Sequence, residues 1–399
     1  MTTIVKAASA AQFLSLVPHL VGCVPRDSLV LIPFAGGRSL GGMRVDLPPE
    51  DADVDPLSAT YVGLVCRVPD ADAIAAVIYT DDPFASAAAG RGSTAAGRGT
   101  TTSSSMPRQD LARALLLRAD ECGLRVTNVL CVAPDGWGSY LDPECPDEGR
   151  SLDDLDRPSG IHPELPAAPV GDQRAGALLP AADPAERERV ARALISLDDG
   201  VRLICGPDRG RPSEPAPPPS ARVDPRALAT VCALDDLPSL FEDALDAGAG
   251  ERDPYLAAAM IWCLSRPSLR DIALVQWCGD LSAGDDALQA QLRWEEGEEY
   301  PTYLAMHMWG EGGRPDPARL ESALDVARRA AATAPRDVRP GPLAACAWLS
   351  WALGRSTHAE HYAEEARSIE PEHGLAEIVC SFVQAGHLPD WAFRAPGAR

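Results

Sequence analysis

Leu29-Val30-Leu31-Ile32-Pro33-Phe34-Ala35-Gly36-Gly37-Arg38-Ser39-Leu40-Gly41-Gly42-Met43-Arg44-Val45-Asp46-Leu47 decides how the front of the chain folds. The unbroken apolar run from Leu29 to Phe34 is the pattern of a buried strand. Ala35-Gly36-Gly37-Arg38 supplies a turn, and Leu40 to Leu47 supplies a second strand-like run. Two such runs around a glycine pair predict a β-hairpin.

Upstream of it, Ser9 and Gln12 form a capping-box pattern that opens a helix carrying Phe13, Leu14, Leu16, Val17 and Leu20. Pro18 removes a backbone donor and is expected to loosen that helix before Gly22 ends it. Pro25-Arg26-Asp27-Ser28 then reads as a turn. Downstream, a helix is expected from Asp55 to Val68, capped by Asp55 with Pro56 at its first position. Ala73 to Thr80 is a buried strand that Asp81-Asp82-Pro83 ends. Pro107 to Cys122 is a helix stopped by Gly123, and Val126 to Val132 is another strand. The order αββαβαβ predicts an α/β domain, a mixed sheet with helices packed on it.

Between these elements, residues 85–105 are almost all Ala, Gly, Ser, Thr and Arg. Such a segment buries too little apolar surface to offset its ordering entropy, so a disordered insert is expected there. Residues 206–222 are rich in proline and read as an extended linker. The expected organisation is therefore an α/β domain over 1–205, a linker, and an all-helical domain over 223–399. Seven of the eight tryptophans lie after Pro225.

The helical tail holds an internal repeat. Ala323, Ala330 and Pro335 recur as Ala359, Ala366 and Pro371. Small residues seven apart, followed by a helix-ending proline, allow the close helix approach of a tetratricopeptide hairpin, whose period is about 34. The longer spacing here is ascribed to extra residues in an Arg339-Pro340-Gly341 turn. Two units are fewer than a free-standing array needs, so packing is favoured over a peptide groove.

Composition excludes several functions. A formal charge of −22 argues against nucleic-acid binding, which needs basic patches. The longest apolar stretches fall short of the roughly 18–20 residues that a membrane span needs. The Met-Thr-Thr-Ile-Val-Lys start lacks the features of a secretory signal, so a cytoplasmic location is expected. Lys6 is the only lysine, and with it goes any Walker P-loop. The eleven cysteines form no C-x-x-C pair and are expected to be reduced core thiols.

Few residues assemble chemistry. Gly37-Arg38-Ser39-Leu40-Gly41 matches the nucleophile elbow, but a strand follows where that motif needs a helix. Gly90-Arg91-Gly92-Ser93-Thr94-Ala95 opens no helix, so it is no dinucleotide fingerprint. His358 and His361, near Glu364 and Glu365, are better read as a polar helix face than as metal ligands, and no metal site is expected. Asp51, Asp53 and Asp55 lack the glycine and the closing glutamate of an EF-hand loop. The remaining candidates are the strand-end carboxylates Asp46, Asp81 and Asp82. Ligands of α/β sheets bind beyond the carboxyl ends of strands, and paired aspartates there can hold Mg²⁺ or act as a base. Arg44 lies two residues before Asp46 and is placed to pair with it or meet an anion.

Pro18-His19-Leu20-Val21-Gly22-Cys23-Val24-Pro25-Arg26-Asp27-Ser28-Leu29-Val30 and Arg44-Val45-Asp46-Leu47-Pro48 resemble signatures of the actinobacterial domain of unknown function (DUF) 4192 family. Trp137-Gly138-Ser139-Tyr140, Cys145-Pro146, Gly149, Arg270-Asp271, Ala347-Trp348-Leu349-Ser350-Trp351 and Gly386-His387-Leu388-Pro389 resemble others. The resemblance implies an actinobacterial, cytosolic protein and brings no assigned activity or cofactor. Its motifs gather around Arg26, Asp27, Ser28 and Arg44, which become candidate binding residues. Two functions stand. One is a non-enzymatic interaction or regulatory protein that docks a protein partner through its helical domain. The other is an α/β enzyme or ligand-binding domain using the strand-end aspartates, with Mg²⁺ and a phosphorylated or nucleotide-like ligand.

Overall fold

The computed structural model describes residues 7–84, 106–156, 169–206, 224–247 and 253–394. The expected disordered insert, nearly all of the Pro-rich linker and the Gly90–Ala95 motif lie outside these residues. The chain divides into two units, Met1–Ala175 and Gly176–Arg399.

In the first unit, α1 (Ala10–Val21) is capped as expected by Ser9, whose Oγ accepts from Gln12 N, while Gln12 Oε1 accepts from Ala8 N, one residue before the cap, instead of from Ser9 N. Gly22 ends it in the left-handed region at φ 75°. The opening hairpin is real but more divided than expected. β1 (Ser28–Ala35) turns through Gly36 and Gly37, with φ of 54° and 86°, into the short β2 (Arg38–Ser39). Two successive positive φ values suit a tight hairpin turn and explain the glycine pair. After Gly41 and Gly42 the chain returns to β1 as β3 (Met43–Asp46), with Ser28 opposite Asp46.

α2 (Val54–Cys66) then leads to β4 (Ala73–Tyr79), and α3 (Gln109–Glu121) leads to β5 (Arg125–Ala133). The cap of α2 is Asp53, which accepts from Asp55 N, rather than the expected Asp55. β1 and β4 pair antiparallel, β4 and β5 parallel, and β5 turns back into β6 (Gly136–Ser139), a strand the apolar pattern does not reveal. The sheet is mixed, as predicted.

Alternate residues of the continuous apolar strands serve opposite faces. Leu29, Leu31, Ile74 and Ile78 pack with Val62, Val65, Leu111 and Leu115 of α2 and α3. Val30, Ile32, Ala75 and Val77 pack with Leu14 and Val17 of α1 and with Trp137. Each fully buried Leu, Ile or Val stabilises this arrangement by about 1.5–3 kcal/mol before entropy is counted. The short α4 (Asp153–Asp156) completes the unit.

The second unit is helical: α5 (Pro184–Cys205), α6 (Pro225–Ala233), α7 (Leu237–Asp246), α8 (Pro254–Leu264), α9 (Pro267–Cys278), α10 (Leu281–Glu295), α11 (Thr302–His307), α12 (Pro317–Thr333), α13 (Pro340–Ala352), α14 (Ser356–Ile369) and α15 (Gly374–Gln384). The expected domain limit at 205 moves to 175, because α5 buries Val190, Ala193 and Leu197 in the helical core. Asp183, Asp224, Asp253 and Asp316 each cap a helix whose next residue is proline, so part of the acidic excess serves helix starts. Ala323, Ala330, Ala359 and Ala366 are all buried, as their spacing demands. Among the described residues, no helix is long and apolar enough to cross a membrane.

The start of α15 carries a pH dependence. His373 Nδ1 accepts from Ala376 N at 3.4 Å, a cap that only a neutral imidazole can make. Burial first, and the Arg270 charge second, hold its pKa below the ordinary histidine value; burial does the same to His307. The unfolded chain therefore takes up these protons first. Stability is full above the unfolded pKa of about 6.5 and falls as pH drops through it. A thermal-unfolding series from about pH 7.5 to about pH 5.5 should show a falling Tm. His373→Asn, which keeps a capping acceptor without titrating, should flatten that slope; an unchanged slope removes His373 from the account.

Candidate functional site at the carboxyl edge of the sheet

Strand register assembles this site. Ser28 opens β1 with Asp46, the end of β3, on one side and Tyr79, the end of β4, on the other. The residues just outside these pairs are Asp27 and the Thr80-Asp81-Asp82 turn. All seven sequence candidates, Arg26, Asp27, Ser28, Arg44, Asp46, Asp81 and Asp82, therefore fall at one edge.

Asp27 sits in the left-handed region at φ 43°, and its carbonyl accepts from Leu47 N at 3.0 Å. Burial, then the charge of Asp81, raises its carboxyl pKa; Arg108 opposes this, and Asp82 and Asp46 add to it. Arg44 Nη1 bridges Ser28 Oγ at 2.9 Å and Asp46 Oδ1 at 2.7 Å, the pairing its position suggests. Ser28 is fully buried and donates through Oγ to the Arg26 carbonyl at 2.6 Å. Its hydroxyl is thus a strut for the turn. Asp82 Oδ2 accepts from Thr80 Oγ1 at 2.8 Å, while the Asp46 side chain is 69% exposed.

Three contributors carry no sequence signal of their role. Arg108, at φ 57° just before α3, has a buried side chain that donates to the Pro48 carbonyl and lies 4.0 Å from Asp82. Gln173 clamps Arg26 through both backbone groups, 147 residues away in sequence. Cys23 lies near Arg44, and burial raises its thiol pKa, so it is poorly suited as a thiolate nucleophile.

The edge is an open arrangement of carboxylates braced by two arginines. Among the described residues, no group of three His, Cys, Asp or Glu side chains is placed to hold a metal ion. The other motifs resolve as packing or turns. Ser39 lies in β2 of the hairpin, with no helix behind it. Asp55 pairs with Arg118, and His361 approaches Glu365 at 4.0 Å. At Gly138, a Cβ would meet Cys145 Sγ at 2.6 Å and Met106 at 2.9 Å, so that part of the family-like segment serves close packing.

A second concave place lies wholly within the helical unit. A cavity of about 230 Å³ opens among α5, α7, α8 and α12. Val190, Leu245, Leu256, Met260 and Val326 give it an apolar floor, and Glu186, Arg189, Asp253, Asp325 and Arg329 stand at its charged rim. Asp253 is tied to Arg226 at 2.7 Å and Asp325 to Arg328 at 3.5 Å. The side chains of Glu186 and Arg189 make no hydrogen bond or ion pair with other described residues.

An α/β unit with a mixed sheet, followed by a helical unit with its own core, is the class this chain defines. The sequence profile of the domain of unknown function family DUF4192 matches residues 11–332, and the chain belongs to that family. The match ends before the Ala347–Trp351 and Gly386–Pro389 segments, so the resemblance expected there lies outside it. No curated protein and no solved structure is similar to the chain at a significant level.

Proposed function

We propose that this is a non-enzymatic interaction protein of the cytoplasm, whose helical unit receives a segment of a partner protein. The observation that carries this reading is the cavity among α5, α7, α8 and α12. At about 230 Å³ it is smaller than most small-molecule pockets, which run to about 300–1,000 Å³. It suits one or two anchoring side chains better than a cofactor. An apolar floor inside a charged rim is the anatomy of a protein-recognition spot. Glu186 and Arg189, whose charges meet no partner among the described residues, are placed to read opposite charges flanking the anchor. The spacing of Ala323, Ala330, Ala359 and Ala366, which resembles tetratricopeptide hairpins, is read as close helix packing, with Ala330 lining the cavity.

Ala257→Trp, which fills the cavity, and Arg189→Glu, which reverses its rim, test this. Affinity capture from a native lysate should recover a stoichiometric partner with the unaltered protein and lose it with both variants. A partner profile identical across all three proteins, or no stoichiometric partner at all, sinks the reading.

The convergence of Asp27, Asp46, Asp81 and Asp82 beside Arg44 and Arg108 favours a second reading, a ligand site at the sheet edge. The ligand class is phosphorylated or nucleotide-like, its anion facing the arginines. ADP should then raise the Tm of the unaltered protein and not that of Asp46→Asn with Asp81→Asn. Equal shifts, or none, discard it.

A further inference from the structure

The topology places two thiols side by side at the opposite edge of the same sheet. α2 leads into β4 and α3 into β5, and these strands are parallel neighbours. The C-terminal ends of both helices therefore lie over the amino edge. Cys66 is the last residue of α2, and Cys122 is the residue that ends α3. The helices pack on each other through Val62, Val65, Leu111, Leu115 and Ala119. Arg118 of α3 adds an ion pair with Asp55 of α2. The pairing of the helices thus sets the Cys66 and Cys122 thiols beside each other at one end of the pair.

Both residues are exposed to solvent. This departs from the expectation of buried core thiols, which does hold for Cys131, Cys263, Cys278, Cys346 and Cys380. A cysteine inside an apolar run reads as core, but Cys66 falls where the helix ends and its side chain escapes the packed layer. Two accessible thiols side by side, on separate elements that already touch, are placed for a disulfide. Forming the bond requires the sulfurs to approach to about 2.05 Å.

We propose that Cys66 and Cys122 are a redox modification site, at which oxidation by a hydroperoxide joins the ends of α2 and α3 through a reversible disulfide. The deprotonated thiol of one cysteine attacks the peroxide oxygen; the O–O bond breaks, giving a sulfenic acid and water. The thiolate of the other attacks that sulfur and expels hydroxide, which takes up a proton to leave as a second water. Two thiols and one hydrogen peroxide thus become one disulfide and two waters. A dithiol reductant reverses the change by thiol–disulfide exchange.

Burial, and then the hydrogen bond with Cys122, raises the Cys66 thiol pKa. At neutral pH this thiol keeps its proton, so the pair oxidises slowly and responds to sustained rather than brief oxidant. Disulfides of reducing compartments are commonly of this transient kind. The link closes the chain from residue 66 to residue 122 and restricts the unfolded state, so the oxidised protein should unfold at higher temperature.

The full-length protein, treated with hydrogen peroxide and digested without reductant, tests the proposal. A peptide joining Cys66 to Cys122, lighter by about 2 Da than the two free peptides, is expected. With it should come a Tm higher by about 5 °C or more, and dithiothreitol should abolish both changes. Cys66→Ser should lose the linked peptide and the Tm rise together. The proposal is overturned if the unaltered protein carries both cysteines to sulfinic acid without the linked peptide. Pairing of either one equally with Cys205 or Cys232 also overturns it. The peptide map of the unaltered protein decides the matter even if the variant folds poorly.

Discussion

Trp351→Ala is expected to destabilise the helical unit by about 4 kcal/mol, the upper half of what removing a buried aromatic side chain costs. Trp351 is fully buried in α13. Its ring lies 4.7 Å from Phe382, 5.8 Å from His387, 6.0 Å from Trp348 and 6.4 Å from Trp391. Alanine would leave a hole bordered by rings that cannot all collapse into it. The loss is not only apolar, since Trp351 Nε1 donates to the His387 carbonyl at 2.8 Å. Gly310, at φ 89°, lets the chain pass within 2.8 Å, at its Cβ position, of the Trp351 ring. The chain around Gly310 and the 386–391 turn thus rest on one indole. Against a typical domain stability of about 5–15 kcal/mol, such a loss is a large fraction of the whole. Urea unfolding followed by circular dichroism should show a lower midpoint at constant slope. Trp351→Phe, which keeps much of the ring and gives up the N–H, should lose about half as much. A loss below about 1 kcal/mol for the alanine variant would falsify this account.

How much of this was legible in the sequence differs from element to element. The hairpin around Gly36 and Gly37, the cap at Ser9 and the strand ending at Asp81 follow from local chemistry, and local chemistry is written in consecutive residues. The division at Ala175 was not legible. Composition marks the proline-rich residues before Asp224, whereas the boundary depends on which core takes Val190, Ala193 and Leu197 of α5. The candidate edge was half legible. Asp46, Asp81 and Asp82 could be chosen because apolar runs end at them. Arg108 and Gln173 reach the same edge from distant segments, and nothing in their neighbours announces it. The cavity among α5, α7, α8 and α12 was invisible for the same reason, because only packing creates it.

Gly341 shows the sharpest conflict between local sequence and packing, and substitution there should decide which wins. Arg339-Pro340-Gly341 reads as a turn, yet Pro340 and Gly341 form the first turn of α13 and are buried. A glycine inside a helix costs about 1 kcal/mol relative to alanine, so propensity alone predicts that Gly341→Ala stabilises. A Cβ at this position, however, would lie 2.4 Å from the Leu264 carbonyl oxygen and 2.6 Å from Ser265 Cα. Both are backbone atoms at the end of α8, and Ser265 is pinned by Oγ bonds to the Ile261 carbonyl at 2.6 Å and the Val338 carbonyl at 3.2 Å. They cannot rotate away as a side chain would, so α13 must move off α8. Overpacking of this kind costs about 1–3 kcal/mol, and contact with fixed backbone places it at the upper end. The expected net result is a loss of about 2 kcal/mol, seen as a lower Tm of the helical unit. Gly63 in α2 is the control, because nothing lies within 4 Å of its Cβ position. Gly63→Ala should follow propensity and raise the stability of the α/β unit by about 0.5–1 kcal/mol. If both variants gain stability, the close approach of α13 to α8 is wrong, and with it the reason the first turn of this helix carries glycine.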